Sequence, residues 1–252
     1  MGKSTKIVDG LIIAETEYPA VGIVSDSSQS FICTGSLIAP RYVLTAGQCC
    51  ENKTDLVFIT GGLASPTIYS AELIIHPLYQ GKNNLGKEGS NDVALLVLNS
   101  DCPITPLSIK STVPQLHDPL VLVGYGEGGT GEFGAEGVPG NKHIGYTRLE
   151  EITDFLLKWI FNEYDSNTAP GDYGGPALIN GEIAGITSVV PIPDVWGGQS
   201  ISTRVDHCIP WIDTVMHPEA IITKDATGTN SQTTYTQAGL VYNVKIATTI
   251  NF

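Results

Sequence analysis

The run Gly171-Asp172-Tyr173-Gly174-Gly175-Pro176, followed at once by the apolar Ala177-Leu178-Ile179, decides how this chain folds. Three glycines and a proline within six residues read as a tight turn feeding a buried strand. Such a turn is weak by itself and takes its weight from what precedes it. Upstream lie Cys33-Thr34-Gly35-Ser36-Leu37-Ile38, then Leu44-Thr45-Ala46-Gly47-Gln48-Cys49, then Asn91-Asp92-Val93-Ala94-Leu95-Leu96. Shorter landmarks flank these: Ile7-Val8-Asp9-Gly10, His76-Pro77-Leu78-Tyr79, Gly124-Tyr125-Gly126, and Thr203-Arg204-Val205 leading to Trp211-Ile212.

Between the landmarks the chain is a series of short β-rich runs separated by turn residues. They are 20–24, 31–39, 42–45, 56–60, 68–75 and 93–98 in the first part, and 120–125, 177–179, 183–190 and 200–205 in the second. That cadence predicts antiparallel β-structure and not alternating βαβ units. The proline-bearing stretch 101–119 connects two similar-sized β units. Residues 124–140 are crowded with glycine and carry Glu127, Glu132 and Glu136, which reads as a long solvated loop. Ile152, Phe155, Leu156, Trp159 and Ile160 have the spacing of an amphipathic helix. Residues 210–216 read as a short terminal helix stopped by His217-Pro218, and a Thr-rich stretch, 217–252, follows. That stretch reads as a stalk, a linker, or an extra strand on a barrel edge, its run 240–246 being able to form one.

In order and internal spacing these segments resemble the trypsin/chymotrypsin-like (S1-type) serine proteases. Residues 171–176 are similar to that family's GDSGGP loop, 33–49 to its CGGSLI…TAAHC segment, and 91–96 to its NDIALL strand. The landmarks match IVGG, HPxY, GWG and TKV…WI. The resemblance covers residues 7 to 216 and implies an all-β fold of two antiparallel six-stranded β-barrels, about 7–109 and 110–216, with a short C-terminal helix. It also favours a hairpin over the helical reading of 152–160. Residues 1–6 read as a leader remnant and 217–252 as an added extension.

The resemblance assigns the catalytic triad to Gln48, Asp92 and Tyr173, of which Asp92 alone keeps the family's residue. Acyl transfer by this machinery needs a base that accepts the nucleophile's proton and returns it to the leaving group. A glutamine amide can hydrogen-bond to Asp92 but cannot do either. A phenol ordinarily stays protonated at neutral pH, and an aromatic ring carries its oxygen several ångströms beyond a serine Oγ. The expectation is therefore a pseudoprotease. Gly171 and Tyr173 supply the backbone positions of the oxyanion hole. Asn167, Ser188, Val189, Val190 and Ser200 fall on the specificity pocket, where Val190 and Ser200 replace glycines and Asn167 replaces the aspartate that binds Lys or Arg. Ile7 and Asp172 match the pair joined when such an enzyme is cut before its new N-terminus, and Lys6-Ile7 is a bond that a trypsin-like enzyme would cut.

The composition excludes several alternatives. With 13 basic and 26 acidic residues the formal charge is −13, which opposes nucleic acid or an anionic membrane as partner. No stretch approaches the roughly 20 apolar residues of a spanning helix. Five cysteines lack metal-ligand spacing, and the expectation is no metal and no cofactor. Adjacency lets only one of Cys49 and Cys50 readily reach Cys33; the expected bridge is Cys33 with Cys49, and Cys102 with Cys208 is a second pairing, since both flank barrel-closing segments. Cys50 is then the free thiol, and the bridges place the protein in an oxidising, extracellular or periplasmic setting. The acidic set Glu150, Glu151, Asp154, Glu163 and Asp165 lacks the alternation of a calcium loop and reads as a solvated face. The expected partner is another protein, with the oligomeric state open. The competing readings are a hydrolase with a non-standard site and an adhesive surface module.

Overall fold

The computed structural model describes residues 7–136, 138–192, 195–217, 233–237 and 240–244, with the last two segments and Glu136 as backbone alone. The leader 1–6 lies outside the described residues, as does most of the Thr-rich extension. The chain divides into two units, Met1–Asp206 and His207–Phe252.

The first unit opens with a two-residue strand, β1 (Leu11–Ile12), and then builds a closed barrel. Its strands are β2 (Val21–Asp26), β3 (Cys33–Ala39), β4 (Tyr42–Thr45), β5 (Leu56–Thr60), β6 (Thr67–Ile75) and β7 (Ala94–Leu98), with a single helical turn α1 (Gly47–Cys50) after β4. The ladder runs β2-β3-β4-β7-β6-β5 and returns to β2. Ile23, Leu37, Leu44, Phe58, Ile59 and Leu95 have no solvent exposure. Isoleucine and phenylalanine fit a pleated, enclosed surface, and leucines fill the remaining interior positions.

The remaining strands are β8 (Pro119–Gly124), β9 (Gly128–Thr130), β10 (Gly134–Glu136), β11 (His143–Arg148), β12 (Glu151–Ile152), β13 (Leu156–Ile160), β14 (Pro176–Ile179), β15 (Glu182–Val189) and β16 (Gln199–Arg204). Eight of the short and long strands form one antiparallel sheet in the order β1-β11-β8-β14-β15-β16-β13-β12. Laid flat, with neighbours about 4.8 Å apart, this order would put β11 and β12 about 29 Å from each other. Yet only Leu149 and Glu150 join them, a link reaching about 11 Å. The sheet therefore curls back on itself. The linking residues hold the seam: Leu149 N–H donates to Asp118 O at 3.0 Å, and Glu150 N–H to Lys158 O at 3.0 Å. The six longer strands correspond to the expected second barrel, and β1 and β12 extend its ladder. Ile7, Leu120, Leu122, Leu149, Leu157, Trp159 and Ile179 form its core.

Residues 152–160 form the β12–β13 hairpin, with Ile152 opposite Leu157, and not a helix. Leu156, Leu157 and Trp159 are all buried, so both faces of the strand are covered, and alternation gives way to a spacing that imitates a helix. The glycine-rich loop is not featureless, since β9 and β10 pair within it. In the second unit α2 (Ile209–Met216) begins with Pro210 in its first turn, where a missing N–H costs nothing. Within the extension, β17 (Thr233–Gln237) pairs with β18 (Leu240–Val244). The strand-forming run is thus used within the extension itself.

Candidate active site cleft

Cys33 on β3 and Cys49 on α1 are joined by a disulfide with an S–S distance of 1.98 Å. It pins the turn that carries Gln48 to the strand that carries Thr34. The second expected bridge is absent: Cys102 and Cys208 are buried thiols. The Cys102 thiol lies beside the Tyr69 side chain on β6, a neighbour that flanking position alone does not reveal, while Cys208 occupies the residue before α2. Cys50 is also a buried thiol, and burial, with Asp92 nearby, pushes its pKa up to about 12. The thiolate is the reactive form, so Cys50 is expected to stay unmodified when native protein meets iodoacetamide at pH 8 and to react once the chain is unfolded in urea. Peptide mass mapping reads this directly; comparable labelling of the native protein would refute it.

Asp92 sits fully buried two residues before β7. Asn91 takes φ 47°, a left-handed conformation that asparagine tolerates, and this bend directs Asp92 toward α1. Its carboxylate accepts Gln48 N–H on Oδ1 at 2.8 Å, Gln48 Nε2 on Oδ2 at 2.8 Å, and Ser188 Oγ on Oδ2 at 2.7 Å. Burial raises the Asp92 pKa, and these donors pull it back toward the ionised form. Gln48 Nε2 donates its other hydrogen to Ser188 O at 2.6 Å. Both partners are acceptors, so the orientation of the amide is fixed by its neighbours.

Ser188 reaches Asp92 because the β15–β16 register shifts between Thr187 and Val189. An irregularity of this kind re-aims a side chain. Val189 is half-buried and Val190 nearly fully buried. Asn167, fully buried, accepts Trp159 Nε1 at 3.0 Å and Ser200 Oγ at 2.6 Å on its Oδ1, while its Nδ2 meets no acceptor among the described residues. Ser200 also pairs with Thr168 at 2.8 Å. Of the expected pocket residues, Asn167 and Ser200 thus share one buried network tied to the core tryptophan, whereas Ser188 is bonded to Asp92 and Gln48 instead.

The turn 171–176 is strapped to β3. Thr34 N–H donates to Tyr173 O at 2.8 Å, Thr34 Oγ1 donates to Gly171 O at 3.0 Å, and Tyr125 N–H donates to that same hydroxyl at 3.1 Å. Gly174 has φ +83°, and a Cβ there would stand 2.2 Å from Thr45 Oγ1 and 2.3 Å from Thr34 O. Only glycine lets the two barrels approach here. Cys49 Sγ lies 3.5 Å from Tyr173 O, so the turns bearing Gln48 and Tyr173 are neighbours. Gly171 takes φ +100°, and the Tyr173 side chain is half-buried.

Asp172, entirely buried, accepts Gly126 N–H at 2.8 Å and Ala169 N–H at 2.9 Å. Burial raises its pKa to about 7 despite those bonds. Ile7 is fully buried in the second barrel core, and Val8 bridges to Asn167. Sequence reasoning missed the clasp made by Thr34 and the bond from Ser188 to Asp92. The departure of CTGSLI from CGGSLI was the visible sign of the first; nothing in the sequence marked the second.

The profile of the family described as Trypsin matches residues 7–212. The chain is 25% identical over 240 residues to serine protease SP24D of Anopheles gambiae, covering 85% of this chain and 82% of that one. It is 26% identical over 239 residues to human trypsin-3, covering 83% and 73%. Among solved structures it is similar in fold to neuropsin, a serine protease expressed in the limbic system of mouse brain, with TM-score 0.69 and 20% identity over 83% of this chain and 99% of that one. It is likewise similar to HBP, with TM-score 0.70 and 20% identity over 83% and 96%.

Proposed function

Because the chain belongs to the trypsin family, we propose that it is a catalytically inactive member that works by binding another protein outside the cell. The observation that carries this reading is the Gln48 amide. Both of its N–H hydrogens are spent on Asp92 and on the Ser188 carbonyl. The position that must accept and return a proton is therefore held by a group with no titratable site, fixed in place as a donor. Tyr173 in place of serine removes the second partner. In a protease that carries the same triad on a different fold, losing either partner alone costs on the order of a millionfold in turnover.

The backbone around the site is well kept, which fits a scaffold retained for its surface. The disulfide fits an oxidising compartment. Ile7 and Asp172 fit a residual response to processing: a cut at Lys6-Ile7 would create an ammonium, and a buried carboxyl gains most from such a partner.

A fluorophosphonate probe tests the loss of chemistry. The protein, intact or cut at Lys6-Ile7, is expected to remain unlabelled at every residue; labelling anywhere would sink the inactive reading. Affinity capture from extracellular fluid tests the binding half, where absence of any saturable protein partner would count against it.

A further inference from the structure

Three loops of the second barrel meet on one side of the first unit. The Trp196 side chain lies over Gly131 in the β9–β10 hairpin, where a Cβ would fall 2.0 Å from Trp196 Nε1, and Trp196 N–H donates to Gly131 O at 3.1 Å. Phe161 and the segment 197–198 exchange two backbone bonds of 2.8 Å each. From Phe161 the chain passes directly into the turn 162–165, closed by Tyr164 N–H donating to Asn162 Oδ1 at 2.9 Å. The hairpin, the turn and the loop around Trp196 are therefore contiguous.

These loops expose large apolar side chains: Phe133 at 69%, Tyr164 at 87%, Ile192 at 80% and Trp196 at 46%. Bulky apolar groups gathered on touching loops mark an interaction surface far better than the same groups scattered singly. The polar residues among them carry one sign. Glu132 and Glu163 are exposed and Asp165 half-exposed. No lysine or arginine occurs from Pro119 to Asn141 or from Trp159 to Thr203. An anionic partner would be repelled, and a small cation would leave the aromatic rings uncovered.

We propose that the β9–β10 hairpin, the 162–165 turn and the Trp196 loop form a docking surface for a peptide segment of a partner protein that alternates cationic and apolar side chains. The rings cover the apolar positions, and Glu132 and Glu163 face the cations. This rests on the reading of the protein as a binding module, but its test is separate from probe labelling, so either can fail alone.

Anisotropy of a fluorescent Lys–Leu alternating peptide titrated with the full chain is the measurement. Saturable binding that weakens as salt rises is expected, with no binding of a Glu–Leu counterpart. Phe133→Ser with Tyr164→Ser lowers affinity about tenfold, as loss of exposed aromatic anchors does. Glu132→Gln with Glu163→Gln lowers it several-fold and flattens the salt dependence. Glu72→Gln with Glu88→Gln, exposed acids of the first barrel, leaves it unchanged. The proposal is overturned if the Lys–Leu peptide does not bind saturably, if the Glu–Leu peptide binds equally, or if the distal pair costs as much as the loop pairs.

Discussion

Gln48→His combined with Tyr173→Ser is expected to turn an unlabelled protein into one that a fluorophosphonate probe modifies at position 173, at least about a thousandfold faster than the parent chain. Either substitution alone should leave the protein silent, because nucleophile and base act as a unit and half of it contributes almost nothing. The surroundings are ready for both. Gln48 Nε2 already makes the bond to Asp92 Oδ2, 2.8 Å long, that orients an imidazole in this geometry. Thr34 holds the carbonyls of Gly171 and Tyr173, so the turn does not depend on the tyrosine ring for its shape. Mass spectrometry of the labelled peptide reads the outcome. A double variant that melts like the parent and still resists the probe would show that the loss extends into backbone or pocket, and the two-residue account would be wrong.

The second large effect concerns Asp172 and pH. Burial raises its carboxyl pKa to about 7, against about 3.9 in an unfolded chain. Between those values the folded state holds a proton that the unfolded state has released. The contribution is therefore fully present below about pH 4 and is lost as pH rises through 7, on the order of 4 kcal/mol for a fully buried group. His76 works in the opposite sense. Burial lowers its pKa to about 4, so its contribution is present above about pH 6.5 and is lost as pH falls toward 4. The two nearly offset each other in the raw curve, which makes a comparison of variants necessary. Urea titrations of the parent and of Asp172→Asn at pH 4.5, 6 and 7.5 are expected to show the variant gaining steadily on the parent as pH rises. Parallel stability curves would mean that Asp172 ionises freely in the folded protein.

Much of this was legible in the sequence because the informative segments are backbone devices. Gly174 must be glycine where the barrels touch, Cys33 and Cys49 must face each other across a turn, and Asp92 must precede a buried strand. What was not legible depends on side chains from distant segments choosing among several partners. Cys102 stays a buried thiol beside Tyr69, which no spacing foretells. Asn167 turns its oxygen to Trp159 and Ser200, though position alone assigned it to a pocket. Ser188 reaches Asp92 through a local register shift that follows from how β15 meets β16. The hairpin at 152–160 was ambiguous for a different reason: a strand covered on both faces has no alternation to read.

The Asp92 carboxylate draws three hydrogen bonds, two from Gln48 and one from Ser188. Its main-chain carbonyl takes a fourth from Thr203 Oγ1. Chemistry asks only that this residue orient a base, yet its bonds make it a keystone between an α-turn of one barrel and two strands of the other. Natural selection would therefore go on protecting such an aspartate long after the last peptide bond had been cut. Within a lineage of this kind, an aspartate that outlives its two partners records architecture and says nothing about activity.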